Sequence, residues 1–189
     1  MTVNPLSLVA ATALIGAPSY ESALPLVWTP LSELPGGLRR EQLNDDNLRV
    51  LAAVALLDET RGPTVNDEAG AIDAEIGRLN QKLNLVIDLL GFLIAQQSST
   101  QPPARVRLSW QGAVFVGTQA LGASGFLSLN LHRSVPQSFV WPARISHIDG
   151  EERHARFAPF SDALQTALER HVFLRHRRAI AGTRRSGGV

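Results

Sequence analysis

The run Val65-Asn-Asp-Glu-Ala69-Gly-Ala-Ile72-Asp-Ala-Glu-Ile76-Gly-Arg-Leu79-Asn-Gln-Lys-Leu83-Asn-Leu-Val86-Ile-Asp-Leu-Leu90-Gly-Phe-Leu93-Ile-Ala-Gln-Gln97 decides how this chain is put together. Its apolar positions Val65, Ala69, Ile72, Ile76, Leu79, Leu83, Val86, Leu90 and Leu93 are spaced four, three, four, three without a slip. That is a heptad register, with Ala69, Ile76, Leu83 and Leu90 at a, and Val65, Ile72, Leu79, Val86 and Leu93 at d. Asp73, Glu75, Arg78, Asn80, Gln81, Lys82 and Asp88 flank it, so the seam is narrow over most of its length. A helix from 65 to 97 is roughly 50 Å long, longer than the core of a small domain. It is therefore expected to pair with copies of itself. Ile87 and Ile94 at e and Leu89 at g widen the apolar face in the second half. That fits three or four helices, or two helices covered by another segment of the chain. The competing reading is a buried helix in a monomeric bundle, and four unbroken heptads argue against it.

Working outward, Asn44-Asp45-Asp46 offers caps for a shorter helix over 44–60 through Leu48, Leu51, Val54 and Leu57, which Val50, Ala52, Ala53 and Leu56 make apolar nearly all round. Gly62-Pro63 ends it, and Thr64, Asn66 and Asp67 can cap the long helix. On the other side Ser98-Ser-Thr-Gln-Pro-Pro103 is a sharp boundary. Beyond it the period becomes strand-like: Arg105–Trp110, Ala113–Val116, Gly125–His132, Phe139–Ile148 and Arg153–Phe157, separated by turn residues. Short strands at about ten-residue intervals are the signature of an antiparallel barrel or sandwich. Ser161-Asp162 caps a last helix with Leu164, Ala167, Leu168, Val172 and Phe173 as its stripe. Arg175–Arg178 gives that helix a basic end, as its macrodipole favours.

Ahead of the helices, Leu24–Leu31 has strand character but two prolines, which suits an edge strand or extended segment returning to the same sheet. Pro35-Gly36-Gly37 then breaks the chain. The first residues, Pro5 to Pro18, look a little like a signal-peptide core, but nothing before Arg39 is basic. They are read as a buried strand or helix of the mature protein, and they are too short to span a bilayer. No other run reaches membrane-spanning length, so no membrane span is expected. The division is thus 1–43 contributing to the barrel, 44–98 as a helical insertion, 102–178 as barrel and C-terminal helix, and 179–189 as a flexible tail.

Charge is split along the chain. Residues 1–100 carry twelve acids against six bases, net −6; residues 101–189 carry five against twelve, net +7. Such a split favours self-association, or a partner for the basic end. The absence of Cys excludes disulfides, thiolate nucleophiles and Cys-based metal sites, and fits a cytoplasmic protein. His132, His147, His154, His171 and His176 include no i,i+3 or i,i+4 pair, although His147 and His154 flank the Asp149-Gly150 turn and can face one another. No metal site, Gly-x-Ser-x-Gly elbow or phosphate loop is legible; Gly117, Gly122 and Gly125 lack the Lys-Ser/Thr that a phosphate loop needs. The expectation is a non-enzyme without a cofactor. Residues 170–185 are basic but carry few stacking aromatics, so a solvated helix end is preferred over a nucleic-acid site.

From Arg105 the order of features resembles a PilZ domain, the bacterial receptor module for cyclic di-GMP. The carrying segment is Val106-Arg-Leu-Ser109-Trp-Gln-Gly112-Ala-Val-Phe115, similar to the family's (Asp/Asn)-x-Ser-x-x-Gly turn and the strand after it. Gly125–Leu131, Trp141–Ile145 and Ala155–Phe157 look like the next barrel strands. The heptad helix and its partner further resemble an atypical, tetrameric branch, in which two long helices interrupt the barrel and assemble it through a parallel four-helix coiled coil. The resemblance implies an α+β fold: a PilZ-like antiparallel β-barrel with a C-terminal helix, interrupted by two long helices that form an oligomeric coiled coil. Ile72, Ile76, Leu79, Leu83, Val86, Leu90 and Leu93 would be its seam.

The family also reads its ligand with an Arg-x-x-x-Arg segment, and here no two arginines lie four apart. Arg39-Arg40 and Arg105/Arg107 are the nearest substitutes, and Arg107 stands where the motif has its acceptor. Arg105, Arg107, Ser109 and Gly112 are the degenerate ligand site. The expected function is a non-enzymatic homotetrameric scaffold of the cyclic di-GMP pathway, with weak or no direct ligand binding, acting through an unidentified signalling protein. The alternative is a direct cyclic di-GMP receptor with a non-standard arginine site.

Overall fold

The computed structural model describes residues 17–59, 71–97 and 102–186. Alternation in the segments after Pro103 produces strands with one apolar face each. Val106 and Leu108 of β2 (Pro103–Ser109), Ala113 and Phe115 of β3 (Gly112–Val116), and Leu127 and Leu129 of β4 (Ser124–Leu129) are buried. So are Phe139, Trp141, Ala143 and Ile145 of β5 (Phe139–Asp149), and Ala155 and Phe157 of β6 (Glu152–Phe157). With β1 (Ser19–Pro30) they close an antiparallel barrel in the order β1-β2-β3-β6-β5-β4.

β1 is not the edge strand its prolines suggest. Residues 19–25 pair with β2 and residues 26–30 with β4, so this one strand closes the barrel on both sides. Its prolines fall where the ladder needs no donor. Pro25 sits at the change of partner, opposite Pro103, and its carbonyl accepts from the Asn130 N–H at 3.1 Å; Pro30 ends the strand.

Three helices are described: α1 (Gly37–Glu59), α2 (Ala71–Gln97) and α3 (Asp162–Ser186). α1 starts seven residues before the expected Asn44, at Gly37 with φ of 51°, because Leu38 to Leu43 are all helix-compatible once the Pro35-Gly36 break is past. Asn44 and Asp46 consequently lie inside the helix and do not cap it. Asn44 serves α3 instead: its Oδ1 accepts from the Ser161 N–H at 3.1 Å while its Nδ2 donates to the Arg40 carbonyl. One turn on, buried Asn47 acts as a strand neighbour for β5. It accepts from the Val140 N–H at 2.9 Å and donates to the Val140 carbonyl at 2.8 Å, just before the pairing of β5 with β6 begins at Ala143.

Leu43, Val50, Leu51 and Val54 of α1 join Leu164, Leu168 and Val172 of α3 in the same core as the barrel residues. α3 runs to Ser186, past Arg178 where a flexible tail is expected; Ala179 to Ala181 and Arg184-Arg185 are good helix formers, and only Gly182 and Thr183 interrupt them. Val65 and Ala69, with the caps Thr64, Asn66 and Asp67, lie outside the described residues, as do residues 1–16.

Among the described residues α2 takes no substantial part in these contacts, which run among the barrel, α1 and α3. Of its heptad positions, Ile76, Leu79, Leu83, Val86 and Leu90 are between 50% and 60% exposed. Leu85 and Leu89 beside them are equally open. The side chains of Ile72 and Leu93 are not among those described.

Candidate functional site

The turn between β2 and β3 is where the sequence concentrates its ligand-type residues. Ser109 and Gly112 pair across the Trp110-Gln111 turn, and the buried Ser109 hydroxyl donates to the Gly112 carbonyl at 3.1 Å. Gly112 is needed for close approach. A Cβ there would stand 2.1 Å from the Ala155 carbonyl oxygen on β6, far inside van der Waals contact. The neighbouring Gln111 carbonyl accepts from the Phe157 N–H at 2.9 Å. Both retained motif residues thus have work inside the barrel: Ser109 closes the hairpin, and Gly112 lets β3 lie against β6.

Arg105 and Arg107 stand two residues apart on β2, and alternation puts them on one face. Arg105 donates to the Glu21 carboxylate on β1, which that hydrogen bond holds below its ordinary carboxylate pKa. Arg107 lies 3.5 Å from the Glu152 carboxylate on β6. The four side chains border one small hollow with Val114, Phe115 and Val116, two charges of each sign. Each guanidinium thus has a carboxylate neighbour, and both pairs lie at the solvent-exposed surface. Arg39 and Arg40 do not complete this group: Arg39 donates to Gln42 and Arg40 to the Pro159 carbonyl at 2.7 Å, at the start of the α1–α3 pair.

His147 and His154 are register partners on β5 and β6, their rings edge to face at 5.1 Å. Burial, with the His147 charge second, pulls the His154 pKa below its usual value. Among the described residues no group of three or more His, Cys, Asp or Glu is placed to hold a metal ion.

A second polar cluster is not legible in the sequence. The Tyr20 hydroxyl on β1 meets His171 Nε2 on α3 at 3.0 Å, with the rings 5.7 Å apart. Asp58, near the end of α1, takes Arg175 and Arg178 of α3 at 3.2 Å each. Burial first, then Arg175, brings the His171 pKa down to about 4, and burial raises that of Tyr20. These partners are separated by more than a hundred residues, and no local motif marks them.

The family described as the atypical PilZ domain, a cyclic di-GMP receptor, matches residues 49–185. Among solved structures, a pathogenic protein from Xanthomonas campestris is 27% identical with a TM-score of 0.72, covering 95% of this chain and 99% of that one. It is described as a new tetrameric PilZ domain self-assembled via an unusual helical bundle. No curated protein matches the chain.

Proposed function

The chain belongs to the atypical PilZ domain family, and we propose that it is a self-assembling, non-enzymatic scaffold of cyclic di-GMP signalling that acts in the cytoplasm through protein partners. The observation that carries this is the closed charge set on the barrel: Arg105 on Glu21 and Arg107 on Glu152. Guanidiniums with carboxylate neighbours are weaker phosphate ligands, because Glu21 and Glu152 repel an incoming phosphate and compete with it for the two arginines. Ser109 and Gly112 add little to a ligand site, being occupied within the barrel.

Assembly is assigned to the helical insertion 44–98, and α2 is its seam. Supporting this are the open row Ile76, Leu79, Leu83, Val86 and Leu90, and the tetrameric likeness in Xanthomonas. Ile72 and Leu93 extend the same heptads. A parallel four-helix bundle would hold four copies of the 102–178 barrel unit at one end. Four linked surfaces raise avidity for a multivalent partner without any new contact. Among the described residues no helix is long and apolar enough to cross a membrane.

Titration calorimetry with cyclic di-GMP, coupled to light scattering on size exclusion, tests the reading. The expected result is a mass of four chains that the dinucleotide leaves unmoved, with no saturable heat. The family's description as receptors favours one competing reading, direct binding through Arg105, Arg107 and Ser109 in a non-standard arrangement. Tight stoichiometric binding that is lost in Arg107→Ala would establish that reading and overturn ours.

A further inference from the structure

The strands of the barrel carry five arginines, and three of them have partners within the fold. Arg105 has Glu21, Arg107 has Glu152, and Arg153 donates to the Gln119 carbonyl at 2.8 Å and the Gly150 carbonyl at 3.0 Å. The other two, Arg144 on β5 and Arg156 on β6, are both exposed and stand directly opposite one another in the register. Their Cβ atoms are therefore about 5 Å apart on the outer face of the barrel. Among the described residues the Arg156 guanidinium takes part in no hydrogen bond or ion pair, and that of Arg144 only donates to the Ser124 hydroxyl at 3.3 Å.

Their neighbours supply no acid. The row continues to Gly112 of β3 beside Arg156 and to Ser124 of β4 beside Arg144. Two residues away on the same face stand His154 of β6 and Pro142 of β5. Glu152 is four residues along β6, roughly 13 Å at 3.3 Å per residue, and lies with Arg107. Like charges directly opposite on adjacent strands oppose the pairing. The free chain would be better served by one arginine and one acid at these places. What complements two adjacent guanidiniums is a pair of neighbouring carboxylates. A lone small anion gains little from exposed contacts of this kind. A protein segment with several carboxylates can engage the face of every copy in an assembly at once.

Building on the scaffold reading above, we propose that the β5–β6 face docks an acidic segment of a protein partner, with neighbouring carboxylates seated on Arg144 and Arg156. The test is fluorescence anisotropy of a labelled octaglutamate peptide with the full chain at low salt, with octaglutamine as the uncharged control. Arg144→Gln combined with Arg156→Gln should weaken binding about tenfold, two exposed contacts at about threefold each. Arg184→Gln combined with Arg185→Gln removes the same charge from the end of α3 and should leave binding unchanged. No binding, or binding lost only in the α3 pair, overturns the face. Without peptide, Arg156→Glu puts opposite charges in register and should raise the midpoint of denaturant unfolding. A lowered midpoint would mean that this arginine serves the fold, and the proposal falls. Cyclic di-GMP binding that is lost in the Arg144→Gln, Arg156→Gln chain would assign the face to the dinucleotide and overturn the proposal. Light scattering should give that chain the wild-type mass, whatever that mass is; a smaller mass would make the face a contact between copies and overturn docking. A monomeric wild-type chain that binds octaglutamate through these two arginines would refute the scaffold and uphold the face.

Discussion

Leu83→Asp is the sharpest perturbation of the proposed seam. Leu83 occupies an a position in the middle of α2 and is 58% exposed in the single chain, so assembly would bury roughly half of its surface. At 1.5–3 kcal/mol for a whole leucine, that loses about 1 kcal/mol per helix. The greater effect is the carboxylate. In a closed seam it would have to be protonated, and lifting a carboxyl from its usual range to pH 7 takes about 4 kcal/mol at 1.36 kcal/mol per pKa unit. In the proposed bundle four helices would contribute one such residue each to a single layer, so the total would approach about 20 kcal/mol. Three associations at micromolar strength are together worth about 25 kcal/mol, and the variant should therefore dissociate at micromolar concentrations. Light scattering should fall from four chains of 20.4 kDa, about 82 kDa, to a single chain. The linkage has a sign that can be checked: acidification to pH 4 protonates part of the introduced carboxylate in the free chain and should restore part of the higher mass. Gln81→Asp, two residues away at the outward f position, should leave the mass unchanged. A Leu83→Asp protein that still runs at about 82 kDa would refute the seam.

Three further outcomes follow from the barrel and its helices. Gly112→Ala forces β3 off β6, since its Cβ would meet the Ala155 oxygen at 2.1 Å; a loss of about 3 kcal/mol or more in denaturant unfolding is expected, and wild-type stability would mean that this glycine has no packing role. Asn47→Leu strands both polar groups of Val140, so about 2–4 kcal/mol should be lost while the assembly mass is kept. His171, faced by Tyr20 from β1, Asp58 from α1 and Arg175 and Arg178 from its own helix, has its pKa lowered from 6.5 to about 4. Because the folded state disfavours the proton, its stability is full above pH 6.5 and falls as pH drops towards 4, by about 3 kcal/mol. In His171→Gln, which keeps a partner for Tyr20, that slope should vanish; an unaltered slope would assign the titration to other groups.

The strands are legible because alternation is a local signal: each of Arg105–Trp110, Gly125–His132 and Arg153–Phe157 shows its buried face in a handful of residues. The start of α1 is misplaced for the same reason. Asn44-Asp45-Asp46 looks like a cap when only its neighbours are seen, and what recruits Asn44 is Ser161, 117 residues away. Likewise nothing near Leu24–Leu31 says that this strand has a partner on each side; Pro25 reads as a fault until the change from β2 to β4 is found beneath it. In the candidate site, Arg105 and Arg107 are visible as charges, whereas the carboxylates that occupy them come from β1 and β6. Sequence shows which groups could bind a phosphate, and only the topology shows which carboxylates stand beside them.

That occupation is tied to the insertion. A strand pair joined by a tight turn has its register set by the turn, but β1 and β2 are separated by residues 31–102, which contain both α1 and α2. Register there must be fixed by the strands themselves. Inward, Tyr20 opposite Leu108, with Leu24 on β1 and Val106 on β2 along the same face, chooses which face is buried, and a one-residue slip would expose them all. Outward, Glu21 lies opposite Arg107 and its carboxylate takes Arg105, and a like charge at either place would oppose the pairing. Arginines free to take a phosphate would give up that contribution. In a barrel opened by a long helical insertion, a carboxylate partner for Arg105 helps to hold β1 to β2, and it places an acid beside one of the two arginines of the candidate site.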